Sequence, residues 1–333
     1  MVDCDKFTSE KQLNKHLDNE ILNFWQQGIF SDFNGSLNIR INYACLLQCK
    51  TLPSLILVPG RCESYLKYKE LCFDLFRQGY NVFIIDHRGQ GLSERLLDDQ
   101  NKGYVDNFQH YINDLNLFIR EVVTKFSQAK PYLLAHSMGG AIAARYLQDY
   151  PDDIQAAVLS SPMMGFNSGT IPENVAEILV KKAEQMNQWL SDKPWYFLGQ
   201  QNFIPTLFSD NKLSHSPLRY QAYIDLYLSV PEIQLGGVTV KWLVEGIKAQ
   251  EKIFENLDKI TCPVQVIQAS DDIIIKNQAQ NDFCLELHQL MPQSCPNGTP
   301  VVIEGAYHEL FFEIDEYRNQ ALGVSLSWFE QHK

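Results

Sequence analysis

The stretch Pro131-Tyr-Leu-Leu-Ala-His-Ser-Met-Gly-Gly-Ala-Ile-Ala-Ala-Arg-Tyr-Leu-Gln-Asp149 passes from an apolar run into a helical pattern, with a single serine at the junction. Residues 131–135 read as a short buried strand and 138–149 as a helix. Small residues stand two before and two after the serine, Ala135 and Gly139. A sharp strand-to-helix turn needs them, because strand and helix pack closely where the chain reverses. Such a turn sets the Ser137 hydroxyl at the C-terminal edge of a sheet and at a helix N-terminus. The partial positive charge there favours a developing oxyanion. Ser137 is therefore the candidate nucleophile. A small-x-Ser-x-Gly match alone also fits a tight turn without chemistry, and the strand before and helix after it supply the required context.

The same rhythm extends outward on both sides. Leu55-Ile-Leu-Val58 is a buried strand, followed by Pro59-Gly60, a helical stretch over 66–78 ended by Gly79, and the strand Val82-Phe-Ile-Ile85. A helix over 106–126 precedes the serine motif, and Ala156-Ala-Val-Leu-Ser160 follows it. The alternation stops at Pro162 and resumes near 262, with strand 264–267, helix 277–290, strand 301–303 and a terminal helix over 314–331. Short apolar strands alternating with helices predict an α/β fold, a mostly parallel sheet with helices on both faces. Residues 163–247 are helical and rich in aromatics, among them Trp189, Trp195, Phe197, Phe203, Phe208, Tyr223, Tyr227 and Trp242. They read as a helical cap inserted into a core of 31–162 and 248–333. Residues 37–50 read as one or two antiparallel strands. Leu13, Leu17, Ile21 and Phe24 predict an amphipathic helix over 10–27 within an N-terminal unit of 1–30.

A serine nucleophile needs a base and an acid, and in folds of this rhythm they follow it along the chain. His308, in Glu304-Gly-Ala-Tyr-His-Glu309, comes after the last strand, where a loop would deliver an imidazole to the same sheet edge. The acid is expected after the preceding strand, where both Asp271 and Asp272 stand. Asp272 is preferred because it lies further past the strand end. Two backbone N–H groups are expected to hold the oxyanion, those of Met138 and Arg61, with Gly60 letting the backbone turn so that the Arg61 amide points inward. The Arg61 and Glu63 side chains can face the pocket, and a surface ion pair is the preferred reading. His136 is expected to point away from Ser137, and His87 to be structural.

Composition narrows the partners. The chain has 333 residues, 45% hydrophobic and 20% charged, as globular proteins do. A net charge of −12 with no basic run excludes a nucleic-acid footprint. The start, Met-Val-Asp-Cys-Asp-Lys, is polar and acidic, and no run approaches the ~18 apolar residues that span a bilayer. A cytoplasmic protein is expected, with peripheral contact on the inner face of a membrane left open. Cysteines at 4, 45, 49, 62, 72, 262, 284 and 295 suit a reduced compartment. Cys45 and Cys49 have no second pair near them, so neither a metal nor a cofactor is expected. Oligomeric state is not legible.

With these motifs in view, the chain resembles the bacterial lysophospholipases that group with the monoacylglycerol lipases in the α/β-hydrolase superfamily. The resemblance rests on Val58-Pro-Gly-Arg-Cys-Glu-Ser-Tyr65, Ile85-Asp-His-Arg-Gly-Gln-Gly91, Leu134-Ala-His-Ser-Met-Gly-Gly140 and Glu304-Gly-Ala-Tyr-His-Glu309, in this order. It implies a serine esterase releasing fatty acid from a lysophospholipid or monoglyceride, with Ser137 as nucleophile, His308 as base, Asp272 as acid, and Arg61 and Met138 as oxyanion donors. Related lysophospholipases can carry an aspartate near the start of the next helix, where this chain has Lys276. Acyl transfer to another lysolipid by the same residues is the rival enzymatic reading. A silent binding module is the rival from another class, although such proteins usually lose a residue that this chain retains.

Overall fold

The apolar runs pair into one eight-stranded sheet. A computed structural model describes residues 7–13, 19–127, 129–167, 169 and 172–333. The strands are β1 Ile29–Asn34, β2 Arg40–Leu46, β3 Ser54–Val58, β4 Asn81–Ile85, β5 Tyr132–His136, β6 Ala157–Ser160, β7 Val264–Ala269 and β8 Val301–Ile303. Their order is β1-β2-β4-β3-β5-β6-β7-β8, with β1/β2 and β2/β4 antiparallel and all later pairs parallel. This is the α/β-hydrolase architecture.

Side chains alternate between the two faces, and each face meets its own helices. Ile56, Val58, Phe83, Leu133, Ala135, Leu159 and Val266 join one buried cluster. Leu55, Leu57, Val82, Ile84, Leu134, Val158 and Ile267 join the other. In chain order the helices are α1 Glu20–Trp25, α2 Lys69–Arg77, α3 Gln109–Phe118 and α4 Met138–Asp149, then α5 Glu173–Leu190, α6 Pro217–Ser229, α7 Val240–Glu255, α8 Asn277–Leu290 and α9 Asp315–Gln331. α3, α4, α7 and α8 pack on the first face, and α1, α2 and α9 on the second. A sheet covered on both sides keeps chemistry out of its centre. Function is left to the loops at the strand ends.

The N-terminal region adds one strand and changes one expectation. Residues 29–34 form an edge strand with only Phe33 buried, so no apolar alternation marks it in the sequence. The helix expected over 10–27 is described as a short turn, Glu10–Gln12, and α1; residues 14–18, with Leu17, lie outside the described residues. Ile21, Phe24 and Trp25 are buried, and Phe24 packs on Phe73 and Phe76 of α2 with ring centroids 5.3 and 4.8 Å away.

Among the described residues, the α-helices α5, α6 and α7 lie between β6 and β7. The boundary expected at 247/248 falls inside α7. The second half of α7 packs with the core: Ala249 and Ile253 join the cluster of α4, and Gln148 Nε2 donates to the Ile253 carbonyl at 2.7 Å. α6 is tied down by charge. Its buried Arg219 donates to Glu70 of α2 at 2.8 and 3.0 Å, to the Glu313 carbonyl at 2.6 Å and to Asp315 of α9 at 2.8 Å. Thr8 and Arg318 complete this knot through Glu70 and Asp74.

Burial alone would push the Glu70 carboxyl up, but the charges of Arg318 and Arg219 and its hydrogen bonds from Arg219 and Thr8 outweigh burial and bring it down to about 2. A carboxyl lowered in the folded state stabilises fully above its ordinary value of 4.5, and that contribution fades as pH falls through about 2. The stability difference between wild type and Glu70→Gln, read by urea unfolding, is expected to narrow as pH drops from roughly 6 to roughly 3. A difference constant over that range would contradict the assignment.

Candidate active site

The turn after β5 is strained by design. Ser137 adopts φ 53° and ψ −116°, outside the regions that residues with a Cβ prefer. Neighbouring backbone fixes it. The Ser137 N–H donates to the Ser160 carbonyl at 3.0 Å, and the Ser137 carbonyl accepts from Met163 at 3.0 Å and Gly140 at 2.9 Å. The helix starts immediately afterwards, against β3. A Cβ on Gly139 would stand 2.1 Å from the Val58 carbonyl oxygen, so only glycine allows the approach.

His308 and Asp272 arrive from the ends of β8 and β7. His308 Nε2 lies 2.9 Å from Ser137 Oγ, and Nδ1 lies 2.6 Å from Asp272 Oδ2. With a carboxylate at Nδ1, that nitrogen carries the proton and Nε2 is free to accept from the serine. The Ile274 and Ile275 N–H groups donate to Asp272 Oδ1 at 2.8 and 3.1 Å. Burial opposes the Asp272 charge, but the hydrogen bond and charge of His308 and these two N–H groups hold its carboxyl below the ordinary value. Asp271 is exposed and accepts instead from Ser270 Oγ at 2.7 Å. Of the two aspartates, Asp272 is the one that meets the imidazole.

The loop after β3 differs from expectation in two ways. Gly60 is not the left-handed residue; Cys62 is, at φ 61°. Gly60 is needed for space, since a Cβ there would lie 3.0 Å from His136 Nδ1 and 3.2 Å from Ser137 Cβ. The Glu63 and Arg61 side chains form no surface ion pair. Glu63 is buried and accepts from the Gly60 N–H, the Tyr68 hydroxyl, His136 Nδ1 and Lys67 Nζ. Arg61 Nη1 donates to the Gly236 carbonyl at 2.9 Å. Among the described residues, the backbone N–H groups of Arg61 and Met138 donate to no protein acceptor. The Met138 N–H stands directly after Ser137, and the Arg61 N–H follows Gly60, which packs against Ser137.

His136 does more than point away. Its ring packs on that of His308, centroids 4.9 Å apart, and its nitrogens face Glu63 at 3.1 Å and the His308 carbonyl at 3.3 Å. Both partners accept, which favours a proton on each nitrogen. Burial opposes that charge, but Glu63 raises the His136 pKa nonetheless. Lys67 bridges Glu63 and Glu309 at 3.0 and 2.6 Å. Sequence reading missed this buried network of alternating charge. Its one local signal was a charged or polar residue, Glu63, His136 or Glu309, in each of three motifs beside strand ends. His87 is structural as expected: buried, facing the Pro59 carbonyl at 3.0 Å, with burial lowering its pKa to about 4.

Ser137 and His308 open into a cavity of about 1050 Å³ between the sheet edge and the inserted helices. Phe166, Phe197, Phe203, Tyr223, Trp242 and Phe254 line it, together with Met163 and Met164. Of the insertion's other aromatics, Trp189 and Phe208 are exposed and Tyr227 is buried. The arrangement can activate a hydroxyl for attack on a carbonyl held in an apolar chamber.

Residues 50–315 match the profile of the family described as Serine aminopeptidase, S33. The chain belongs to that family. It is 35% identical over 316 residues to Lysophospholipase L2 of Escherichia coli (strain K12), covering 94% of this chain and 90% of the relative. It is 28% identical to Monoglyceride lipase of Rattus norvegicus, covering 81% and 79% respectively. The crystal structure of Paleococcus ferrophilus monoacylglycerol lipase superposes with a TM-score of 0.67 at 21% identity, over 88% of this chain and 99% of that one. The family and the fold together make the chain a hydrolase.

Asp272→Asn is expected to leave the fold intact and lower kcat on a p-nitrophenyl ester by about 10³–10⁴, by loss of the charge and tautomer that serve His308. Asp271→Asn is expected to stay within about twofold, as an exposed carboxylate away from the imidazole should. Steady-state kinetics of the two variants decides, and the reverse order would exchange their roles.

Proposed function

We propose that the chain is a serine carboxylic-ester hydrolase that releases a fatty acid from a lysophospholipid or a monoacylglycerol. The observation that carries this is the hydrogen-bonded line Asp272–His308–Ser137 at the mouth of an apolar cavity large enough for an acyl chain. The named activities of the relatives fit that cavity. His308 Nε2 takes the Ser137 proton as Oγ attacks the ester carbonyl, and Asp272 stabilises the imidazolium that forms. The Arg61 and Met138 N–H groups bind the tetrahedral oxyanion. His308 then protonates the departing glycerol oxygen, leaving an acyl-serine. Water, deprotonated by His308, attacks the acyl-serine and frees the fatty acid and Ser137.

Lysophosphatidylcholine, lysophosphatidylethanolamine and monooleoylglycerol are expected to yield oleate or palmitate with wild type and none with Ser137→Ala. Fatty-acid release is measured with and without an added lysolipid acceptor. Product appearing as diacyl lipid in place of free acid would favour acyl transfer. No turnover of these lipids or of a short p-nitrophenyl ester would return the chain to a binding role.

The substrate reaches the cavity from a lipid surface. Among the described residues, no helix is long and apolar enough to cross a membrane. The insertion instead exposes large apolar side chains: Trp189 is 85% exposed, Leu198 90% and Leu207 72%. α1 offers less of such a face: Ile21, Phe24 and Trp25 are buried and only Leu22 of its apolar residues is exposed. With a net charge of −12, attraction to anionic lipid cannot drive contact, so neutral bilayers should be bound as well as anionic ones. Cosedimentation with phosphatidylcholine vesicles is expected, reduced several-fold in Trp189→Ser combined with Leu198→Ser. Absence of binding to either vesicle type would refute it.

A further inference from the structure

The loop 59–63 is held from two sides that do not overlap. The sheet domain holds its ends: the Pro59 carbonyl faces His87, the Gly60 and Glu63 carbonyls accept from Gln90 at 2.8 and 2.9 Å, and the Gly60 N–H donates to Glu63. The middle, Arg61 and Cys62, is held by the insertion. The Tyr227 hydroxyl of α6 donates to the Cys62 carbonyl at 2.5 Å. The Cys62 thiol lies 3.5 Å from the Leu235 and Gly236 carbonyls, and Arg61 Nη1 donates to the Gly236 carbonyl. The Arg61 guanidinium carbon also sits 5.8 Å from the Trp242 ring centroid.

Cys62 needs that grip. Its φ of 61° is a left-handed conformation that glycine takes freely and a residue with a Cβ takes only where its surroundings insist. If Cys62 relaxes toward negative φ, the Arg61–Cys62 peptide swings and carries the Arg61 backbone with it. The Arg61 N–H is the group read above as an oxyanion donor, and such donors act only when aimed at the developing charge. Tyr227 is fully buried, and its ring packs at 4.5 Å on Tyr223 and 6.0 Å on Phe203, both of which line the cavity. What fills the cavity thus touches the side chains against which the strap is packed.

We propose that Tyr227 is a positioning residue for the oxyanion hole: its hydroxyl, delivered by the insertion, holds Cys62 left-handed and so aims the Arg61 N–H. The hole is then a property of core and insertion together. It is complete only while α6, pinned through Arg219 to α2 and α9, is seated. This rests on the hydrolase reading of Ser137.

The test is a double-mutant cycle between Tyr227→Phe and Cys62→Gly, with Ser137→Ala as the control for that reading. Tyr227→Phe is expected to lower kcat ~10-fold with KM within about twofold, a partial loss of the 10²–10³ that an oxyanion donor supplies. Affinity for a trifluoromethyl ketone, whose serine adduct needs the hole, should fall in parallel. In the Cys62→Gly background the same change is expected to cost less than about twofold, because glycine takes φ near 61° without strain and so depends less on the strap. Arg61→Met cuts the other strap, keeps the backbone N–H, and should give the same pattern should Tyr227→Phe fail to fold. Equal losses in both backgrounds, a loss confined to KM, or no loss would overturn the proposal. A wild type indistinguishable from Ser137→Ala on every ester would instead overturn the hydrolase reading beneath it.

Discussion

The left-handed turn at Ser137 is the constraint from which the rest of the site follows. A residue with a Cβ at φ 53° persists only where its surroundings leave no alternative. Here those surroundings are the sheet itself: β6 takes the serine N–H, the segment after β6 donates to its carbonyl, and β3 presses against Gly139. The turn places a hydroxyl at the start of α4 and at the end of β5, next to the loop that leaves β3. Parallel strands all deliver their loops to this one edge, so β7 and β8 bring Asp272 and His308 within hydrogen-bonding distance although more than a hundred residues separate them from the serine.

Around that line the structure places buried charge instead of greasy packing. Glu63, His136, Lys67 and Glu309 alternate in sign directly behind the reacting groups. Each ion is buried or nearly so, and each is stable there only because its partners satisfy it. The carboxylate of Glu63 fixes Gly60, His136 and Tyr68 together, so the loop after β3, the residue before Ser137 whose ring packs on His308, and the turn leading into α2 share one anchor. Breaking one partner would leave charge uncompensated across the whole cluster, which binds the geometry of the site to the stability of the fold.

Much of this was legible in the sequence. Runs such as Leu55–Val58 and Val82–Ile85 are short, apolar and bounded by Gly or Pro, and periodicity locates such elements well. The placing of Ser137, Asp271–Asp272 and His308 after parallel strands points to one edge because parallel topology leaves no other. What escaped did so for two reasons. β1 is an exposed edge strand without alternation, so pattern reading passes over it. Glu63 is satisfied by His136 and Lys67, Lys67 in turn meets Glu309 of the last loop, and the Cys62 carbonyl accepts from Tyr227 of the insertion. Local sequence holds no trace of such long-range partners, and a charged residue in a loop then reads as a surface residue.

The central claim is that the acyl group passes through Ser137. The most direct measurement is acid quenching of wild type during turnover of a slowly hydrolysed long-chain p-nitrophenyl ester, followed by mass spectrometry of the peptide spanning β5 and α4. The account predicts that this peptide gains the mass of the acyl group on Ser137 and that Asp272→Asn changes how much accumulates. Acyl mass on any other residue, or fatty acid released with Ser137 never modified, would contradict it.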